Sequence, residues 1–474
     1  MATQDLKPLW SEFAYKPHQE YGVRWMLERE SASAEIKGGL LCDEMGLGKT
    51  IEMLGLIKES GLKKTLLVLP LAVVNQWKDT AIRCRINVLF MPKDTWKLVS
   101  SPFPGAPCVY IIGYEALANK ISSVEHVIFD RVVFDEAQRL GVKDIARKIA
   151  AGKEIKKLAF KTACRVTAES KWFLTATPVV NSQDDIRSLF AILDLSLVSG
   201  KLHELMGRFA LARSMEQLRS SIPDAPAKPI IKQHRLDFDT KKEEDFYTSI
   251  QTNVERRMTY NENALEVLRL IMMLRQLRIH PQVYIASRKN QHGIKTPDWT
   301  EASTKFVKTK ELIEAEGNVN HKWIVFCHFH EEMDLLKAYL SESDKIRHIE
   351  TYSGSLNSTE KEDALIKVRE PFAQDDKKID VLLIQLKAGG VGLNLQEFDR
   401  IIFNSPWWTQ AAIDQGVGRA VRIGQKNQVV VHKLMLKQEE SGPVRNIDVW
   451  MRSKAATKEQ LNSMALEMAD NTIN

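Results

Sequence analysis

Eight short apolar runs constrain this chain more than any other feature. TLLVLP at 65, CVYIIG at 108, RVVFDE at 131 and KWFLTAT at 171 are continuous stretches rather than alternations of apolar and polar residues. Strands of that kind are buried on both faces, as in a parallel sheet covered by helices. Helical stretches separate them, such as TIEMLGLIKES from Thr50 and NSQDDIRSLFAIL from Asn181, the latter opening on residues suited to an N-cap. Strand, loop, helix, strand is the doubly wound α/β plan.

The pattern stops and then returns. After Leu195 the segments are long, charged and helix-prone, up to RLIMMLRQLRIHP, where Pro281 ends the run. SRKNQHGIKTPDWTEAS, 287–303, is polar with Gly and Pro and marks a linker. Beyond it come WIVFCH at 323, DVLLIQ at 380, RIIFNS at 400 and VVVHKL at 429. The expected organisation is an α/β lobe over 1–195, a helical insertion over 196–286, the linker, and a second α/β lobe with a C-terminal helix over 304–474. A chain of 474 residues is too long for one hydrophobic core, which agrees with this division.

Composition narrows the setting. MATQDLKPLWSEF has neither a basic n-region nor an apolar h-region, and no apolar run has the length of a membrane span. Cysteines at 42, 84, 108, 164 and 327 never form a C-x-x-C pair, which argues against a zinc ribbon and a disulfide framework. The expectation is an intracellular, reducing location without zinc or membrane: nuclear in a eukaryote, otherwise cytoplasmic or viral.

LLCDEMGLGKT, 40–50, resembles a phosphate-binding loop whose first glycine is replaced by Asp43. Glycines in such a loop let backbone N–H groups surround a phosphate, a Lys reaches the β and γ phosphates, and a hydroxyl ligates magnesium. Gly46, Gly48, Lys49 and Thr50 supply these parts, while Asp43 and Glu44 are placed to cap the altered start. RVVFDEAQ ends a strand on Asp135, a candidate magnesium ligand beside Thr50, and Glu136, a candidate activator of water. In DQGVGRAVRIGQ, Gln415, Arg419 and Arg422 are spaced i, i+4 and i+7, so a continuous helix would present all three on one face, suited to a γ-phosphate. Exposed arginines paired with surface acids are the alternative.

The net charge of +6 is matched by one segment, since residues 141–165 hold eight Lys or Arg against two acids. One reading is a solvated helical face with Ile145, Ile149, Ile155 and Leu158 turned to a core; the other is a phosphate-facing patch.

Taken together, these motifs resemble the Swi/Snf family of superfamily 2 ATPases, the double-stranded-DNA translocases of remodelling and repair. KPHQEYGVRWML, DEMGLGKT, VLPLAVVNQWKDT, IGYEAL, FDEAQ, WFLTATPVVNS, LRQLRIHP, LKAGGVGLNLQ and PWWTQAAIDQGVGRAVRIGQ follow the family's order across nearly the whole chain. The resemblance implies two RecA-like lobes joined by helical protrusions, ATP and Mg2+ as cofactors, and double-stranded DNA as partner, with nucleosomes or other DNA-bound proteins left open. It implies Gln19 as adenine reader; a loop formed by Asp43, Glu44, Met45, Gly46, Leu47, Gly48, Lys49 and Thr50; and Thr175, Ala176 and Thr177 coupling nucleotide state to DNA. Lys387 and Trp408 are implied DNA contacts, beside Lys153, Lys156 and Lys157 of the basic segment; for Trp408 a core role stands equally open. Two departures stand out: Gln138 where many relatives have His, and Thr409-Gln410 after Trp408 where Asn-Pro is common. The absence of cysteine between 164 and 327 speaks against an inserted RING and ubiquitin-ligase activity, and the expectation is a bare motor. A strand-separating helicase and an ATP-switched clamp remain alternatives.

Overall fold

The computed structural model describes residues 5–31, 36–91, 95–99, 102–195, 202–259, 263–292, 296–315, 320–373, 378–386, 393–437 and 447–469. The chain forms two compact units, residues 1–225 with 457–474, and residues 226–456.

The first unit is built on an eight-stranded sheet of order β4-β3-β5-β2-β6-β7-β1-β8. Its strands are β1 (Lys37–Leu41), β2 (Lys64–Leu69), β3 (Asn87–Phe90), β4 (Lys97–Leu98), β5 (Cys108–Gly113), β6 (Phe129–Asp135), β7 (Ala168–Leu174) and β8 (Ala210–Leu211). All pair in parallel except β3 with β4. The four runs read from sequence are the interior strands β2, β5, β6 and β7, and in β2 Leu66 to Leu69 are wholly excluded from solvent. Phe134 of β6 stacks on Phe173 of β7 at 5.4 Å.

Register is what positions the site. Asp135 is level with Leu174, and Leu174 with Leu41, so β6, β7 and β1 end together. The segments leaving those ends are Glu136–Gln138, Thr175–Thr177 and the phosphate loop. Ligands of open α/β sheets bind outside the carboxyl ends of strands in this way.

The second unit carries a six-stranded, wholly parallel sheet of order β11-β12-β10-β13-β14-β9. Its strands are β9 (Ile230–Leu236), β10 (His321–Cys327), β11 (Ile346–Tyr352), β12 (Ile379–Gln385), β13 (Arg400–Phe403) and β14 (Val430–Leu436). Both units are mixed α/β folds on parallel sheets, in keeping with the sequence pattern.

The region expected to be helical, 196–286, also supplies β8 to the first sheet and β9 to the second. It also holds the helices Leu202–Phe209 and Met215–Leu218, followed by Lys241–Thr259, Ala264–Ile279 and Pro281–His292, the last reaching into the expected linker. Pro281 both ends one helix and opens another: His280 is extended (φ −162°, ψ 133°), the conformation favoured before proline. The final helix, Ile447–Glu467, is expected wholly in the second lobe but divides between the units. Its residues up to Ala456 belong to the second unit, where Ile447 and Met451 join the core of Val254, Leu270 and Leu274; those from Thr457 belong to the first, where Ala465 joins the core. Among the described residues, no helix is long and apolar enough to cross a membrane.

Candidate nucleotide site

The loop after β1 turns through Gly46 (φ +87°) and Gly48 (φ +99°) into the helix Lys49–Glu59. Both glycines hold left-handed backbone that other residues rarely adopt. Gly48 has a second constraint, since a Cβ there would lie 2.5 Å from the Gln19 amide nitrogen. Lys49 Nζ donates to the loop carbonyls of Asp43 (2.6 Å) and Glu44 (3.4 Å). The cation thus sits within the loop, over a helix N-terminus that favours anions.

Two residues of the preceding helix, Pro17–Arg29, hold the loop from outside. His18 Nε2 lies 2.9 Å from Leu47 O, and Gln19 Nε2 donates to the same oxygen at 3.1 Å. Gln19 Oε1 accepts the Lys16 backbone N–H. The residue singled out for adenine therefore uses one donor and one acceptor on the protein itself.

Asp43 occupies the place of the missing glycine and is wholly buried. A buried carboxylate needs an opposite charge, and Arg213 supplies it from just beyond β8. Arg213 Nε donates to both Asp43 oxygens at 3.1 Å, and its backbone N–H to Oδ1 at 3.0 Å. The same guanidinium reaches both oxygens of Glu52 at 3.2 Å and the His18 carbonyl. Burial, and then Asp43, push the Glu52 carboxyl well above its usual range. Sequence reasoning missed Arg213 and Glu52; the available signal was Asp43 itself, an acid in a loop that leaves it no room in solvent.

Asp135 Oδ2 accepts Trp77 Nε1–H at 3.0 Å, and Oδ1 accepts the Glu136 N–H at 2.9 Å. Its backbone carbonyl accepts the Tyr114 hydroxyl at 2.8 Å. Burial and the neighbouring Glu136 raise its pKa to about 6, while the Trp77 hydrogen bond and Lys49 pull the other way. Two crowded acids facing a phosphate-loop lysine fit a divalent cation, which would relieve their repulsion. Glu136 is left-handed (φ +52°), a strained setting for a residue with a Cβ.

Gln138 connects this pair to β7. Its Nε2 donates to Glu136 Oε2 at 2.6 Å, and its Oε1 accepts the buried Thr175 hydroxyl at 2.7 Å. Thr175 Oγ1 in turn accepts the Thr177 N–H at 3.0 Å. A carboxamide can donate and accept at once, so the residue that departs from the family pattern links Glu136 to Thr175 and, through it, to Thr177.

In the second unit the helix carrying Gln415 is shorter than its spacing suggested. It runs Gln410–Val417 and ends at Gly418, so Arg419 and Arg422 lie in the following turn and do not extend its face. Arg422 Nε donates to Gly418 O at 2.7 Å. Burial, and then Arg419, push Arg422 down to about 10, so the two cations are close neighbours. Gly416 lets the helix approach the sheet, since a Cβ there would be 2.9 Å from the Phe326 ring.

Trp408 is half-buried against the core of Val254, Leu270 and Ile447. Arg275 lies over both the Trp407 ring (5.0 Å) and the Trp408 ring (5.1 Å). Trp407 stacks on His328 at 4.7 Å. These surroundings favour the core role for Trp408.

The basic segment divides into Ile145–Ala150 and Leu158–Arg165, two short helices. Ile145 is buried and Ile155 packs against the core, but Ile149 and Leu158 are exposed. Lys153 and Lys156 are exposed in the connecting coil and form no ion pair among the described residues. Lys157 Nζ donates to Gly141 O, and Lys161 pairs with Glu154. Lys387 lies outside the described residues.

The SNF2-related domain family matches residues 18–200, and the helicase conserved C-terminal domain family residues 304–424. The chain thus resembles SNF2-related proteins over one stretch and helicase C-terminal domains over another, and relatives it matches are named ATP-dependent helicases. It is 26% identical to the "Probable global transactivator" of Orgyia pseudotsugata multicapsid polyhedrosis virus, over 90% of this chain and 86% of that protein. It is also 26% identical to an "Uncharacterized ATP-dependent helicase" of Mycoplasma pneumoniae, over 89% of this chain but 40% of that protein. The Sulfolobus solfataricus SWI2/SNF2 ATPase core domain aligns over 100% of this chain and 98% of that one at 21% identity; its TM-score of 0.40 is too low for geometric comparison.

Proposed function

We propose that the protein hydrolyses ATP to move along duplex DNA and so remodels DNA or protein–DNA complexes. The observation that carries the ATP part is the convergence of Lys49, Asp135–Glu136 and Thr175–Thr177 on three adjacent strand ends. Lys49 exchanges the Asp43 and Glu44 carbonyls for the β and γ phosphates. Gln19 retains one amide N–H and one oxygen lone pair beyond its protein contacts, enough to read adenine. Asp135 and Thr50 would hold Mg2+, which when bound offsets the phosphate charge. Glu136 orients the attacking water and accepts its proton. Arg419 and Arg422, together with Gln415, meet the charge that develops on the γ-phosphate.

The DNA part rests on the family resemblance and on Lys153 and Lys156, whose ammonium groups are open to phosphates. Backbone contacts of that kind track a duplex with little sequence preference. The test is ATP turnover measured side by side with no nucleic acid, duplex DNA, single-stranded DNA, RNA and nucleosomes, plus displacement of a third strand from a triplex. Duplex DNA should stimulate turnover most and the third strand should be released. Equal stimulation by RNA, or strand separation at a fork without triplex displacement, overturns the proposal.

A further inference from the structure

We propose that Arg213 is a positioning residue for ATP binding, replacing the absent first glycine by clasping Asp43 and so setting the shape of the phosphate loop. The inference rests on the nucleotide reading above and names what holds that site in shape.

The two chain segments run together over several residues. Cys42 N–H donates to Leu211 O (2.7 Å), Glu44 N–H to Arg213 O (2.9 Å), and Met215 N–H to Glu44 Oε2 (2.6 Å). The start of the loop is therefore bonded to residues 211–215 through backbone as well as side chain. A glycine at 43 would bring neither the carboxylate nor its demand for a cation.

Arg213 also contacts every element that shapes the rest of the loop. Through Glu52 it reaches the helix that follows, and through the His18 carbonyl it reaches the helix whose His18 and Gln19 hold Leu47 O. A planar fork of five donors serves Asp43, Glu52 and His18 together, a geometry the compact ammonium of a lysine does not reproduce. Close approach is built in at Gly22, where a Cβ would fall 2.3 Å from Glu52 Oε2 and 3.0 Å from Arg213 Nη2. Arg213 is 2% exposed and faces away from solvent, so it acts through the loop rather than on the nucleotide.

The experiment compares wild type, Lys49→Ala, Arg213→Lys, Arg213→Gln, Asp43→Gly and the double variant Asp43→Gly with Arg213→Gln. Each is read by thermal melting, equilibrium binding of a fluorescent ATP analogue, and KM and kcat for ATP. In Arg213→Lys we expect the KM and the analogue Kd to rise about tenfold together, with kcat within about twofold, the pattern of lost binding geometry. The double variant should bind more tightly than Arg213→Gln alone, because the buried carboxylate that needed the cation is gone. Unchanged KM, or a lower melt with unchanged KM in the folded fraction, overturns the proposal in favour of a purely structural ion pair. Strictly additive losses in the double variant overturn it as well, and remain readable if Arg213→Lys does not fold. Wild type that fails to bind the analogue, or Lys49→Ala that binds normally, instead defeats the nucleotide reading on which the inference stands.

Discussion

The phosphate loop and the arginine turn handle charge in opposite ways. In the loop, charges meet opposite or polar partners: Asp43 pairs with Arg213, and Lys49 rests on two carbonyls. The loop is satisfied without a ligand and is held by segments far away in sequence. In the arginine turn, like charges are neighbours, and Arg422 is pushed down by burial and by Arg419. Elsewhere in the same unit, Arg275 lies against two tryptophan faces and is pushed down to about 10 by burial. On the proposed reading, one site is arranged to hold a phosphate, while the other concentrates positive charge that an added anion would relieve.

That contrast is broken most directly by two substitutions. Lys49→Ala should abolish ATP binding and bring turnover to background, with the melt unchanged. Arg422→Ala should leave ATP affinity within about twofold while turnover falls on the order of a thousandfold, since an arginine of this kind acts on transition-state charge. Equilibrium binding and single-turnover hydrolysis separate the cases. An Arg422→Ala protein that loses affinity and keeps its rate constant would assign ground-state binding to the turn as well.

The core of the second unit has its own acid sensitivity. Burial lowers the pKa of His280 to about 4, and its ring packs on Phe306 while Nδ1 accepts the Gln282 N–H. A folded pKa below the unfolded value of about 6.5 means the group's stabilisation is complete above that value and lost as pH falls towards 4. The loss amounts to about 3 kcal/mol at full titration. Protection of the β10 amides, referenced to their intrinsic exchange rates, should therefore fall between pH 6.5 and 4, and His280→Gln should blunt that change. An identical pH profile in the variant would remove His280 from the account.

What the sequence made legible follows from where the information lies. Strands β2, β5, β6 and β7, and β10, β12, β13 and β14, announced themselves because both faces are buried. Strand β9 (IIKQHRL) is largely exposed and β11 (IRHIETY) only half-buried, both at sheet edges, so neither carries an apolar signature. The phosphate loop and the acid pair were legible because their chemistry is local. Arg213 was not, because its partner lies 170 residues away. The spacing of residues 415–422 suggests one helix, but Gly416 and Gly418 weaken it and it stops at Val417.

A milder way to sharpen the comparison is through DNA. Because Lys153 and Lys156 are exposed and outside both charge clusters, changing both to Glu should leave the melt and the basal ATPase in place. The slope of log affinity for duplex against log salt should fall by about 2, because each phosphate that no longer meets a lysine keeps its counterion. Lys157 is a poorer probe, because its ammonium already serves the Gly141 carbonyl. An unchanged slope would make the segment a solvated face.

The smallest effect is expected at Gln138, and it is conditional on pH. The carboxamide donates to Glu136 and accepts from Thr175, and it does not titrate. A neutral imidazole can perform the same two roles from its two nitrogens, so Gln138→His should hydrolyse ATP nearly as wild type does above pH 7. Below about pH 6.5 the ring gains a proton and keeps no acceptor. The Thr175 hydroxyl, buried at 1% exposure, would then lose its partner, and the link from Glu136 to Thr177 would open. Basal ATPase should change little, because Lys49, Asp135 and Glu136 are untouched. Duplex stimulation should fall severalfold between pH 7.5 and 6 in the variant and stay level in wild type once general pH effects on DNA binding are subtracted. If stimulation in the variant is level too, the Gln138 bridge is a structural bond and the threonines take their signal by another route.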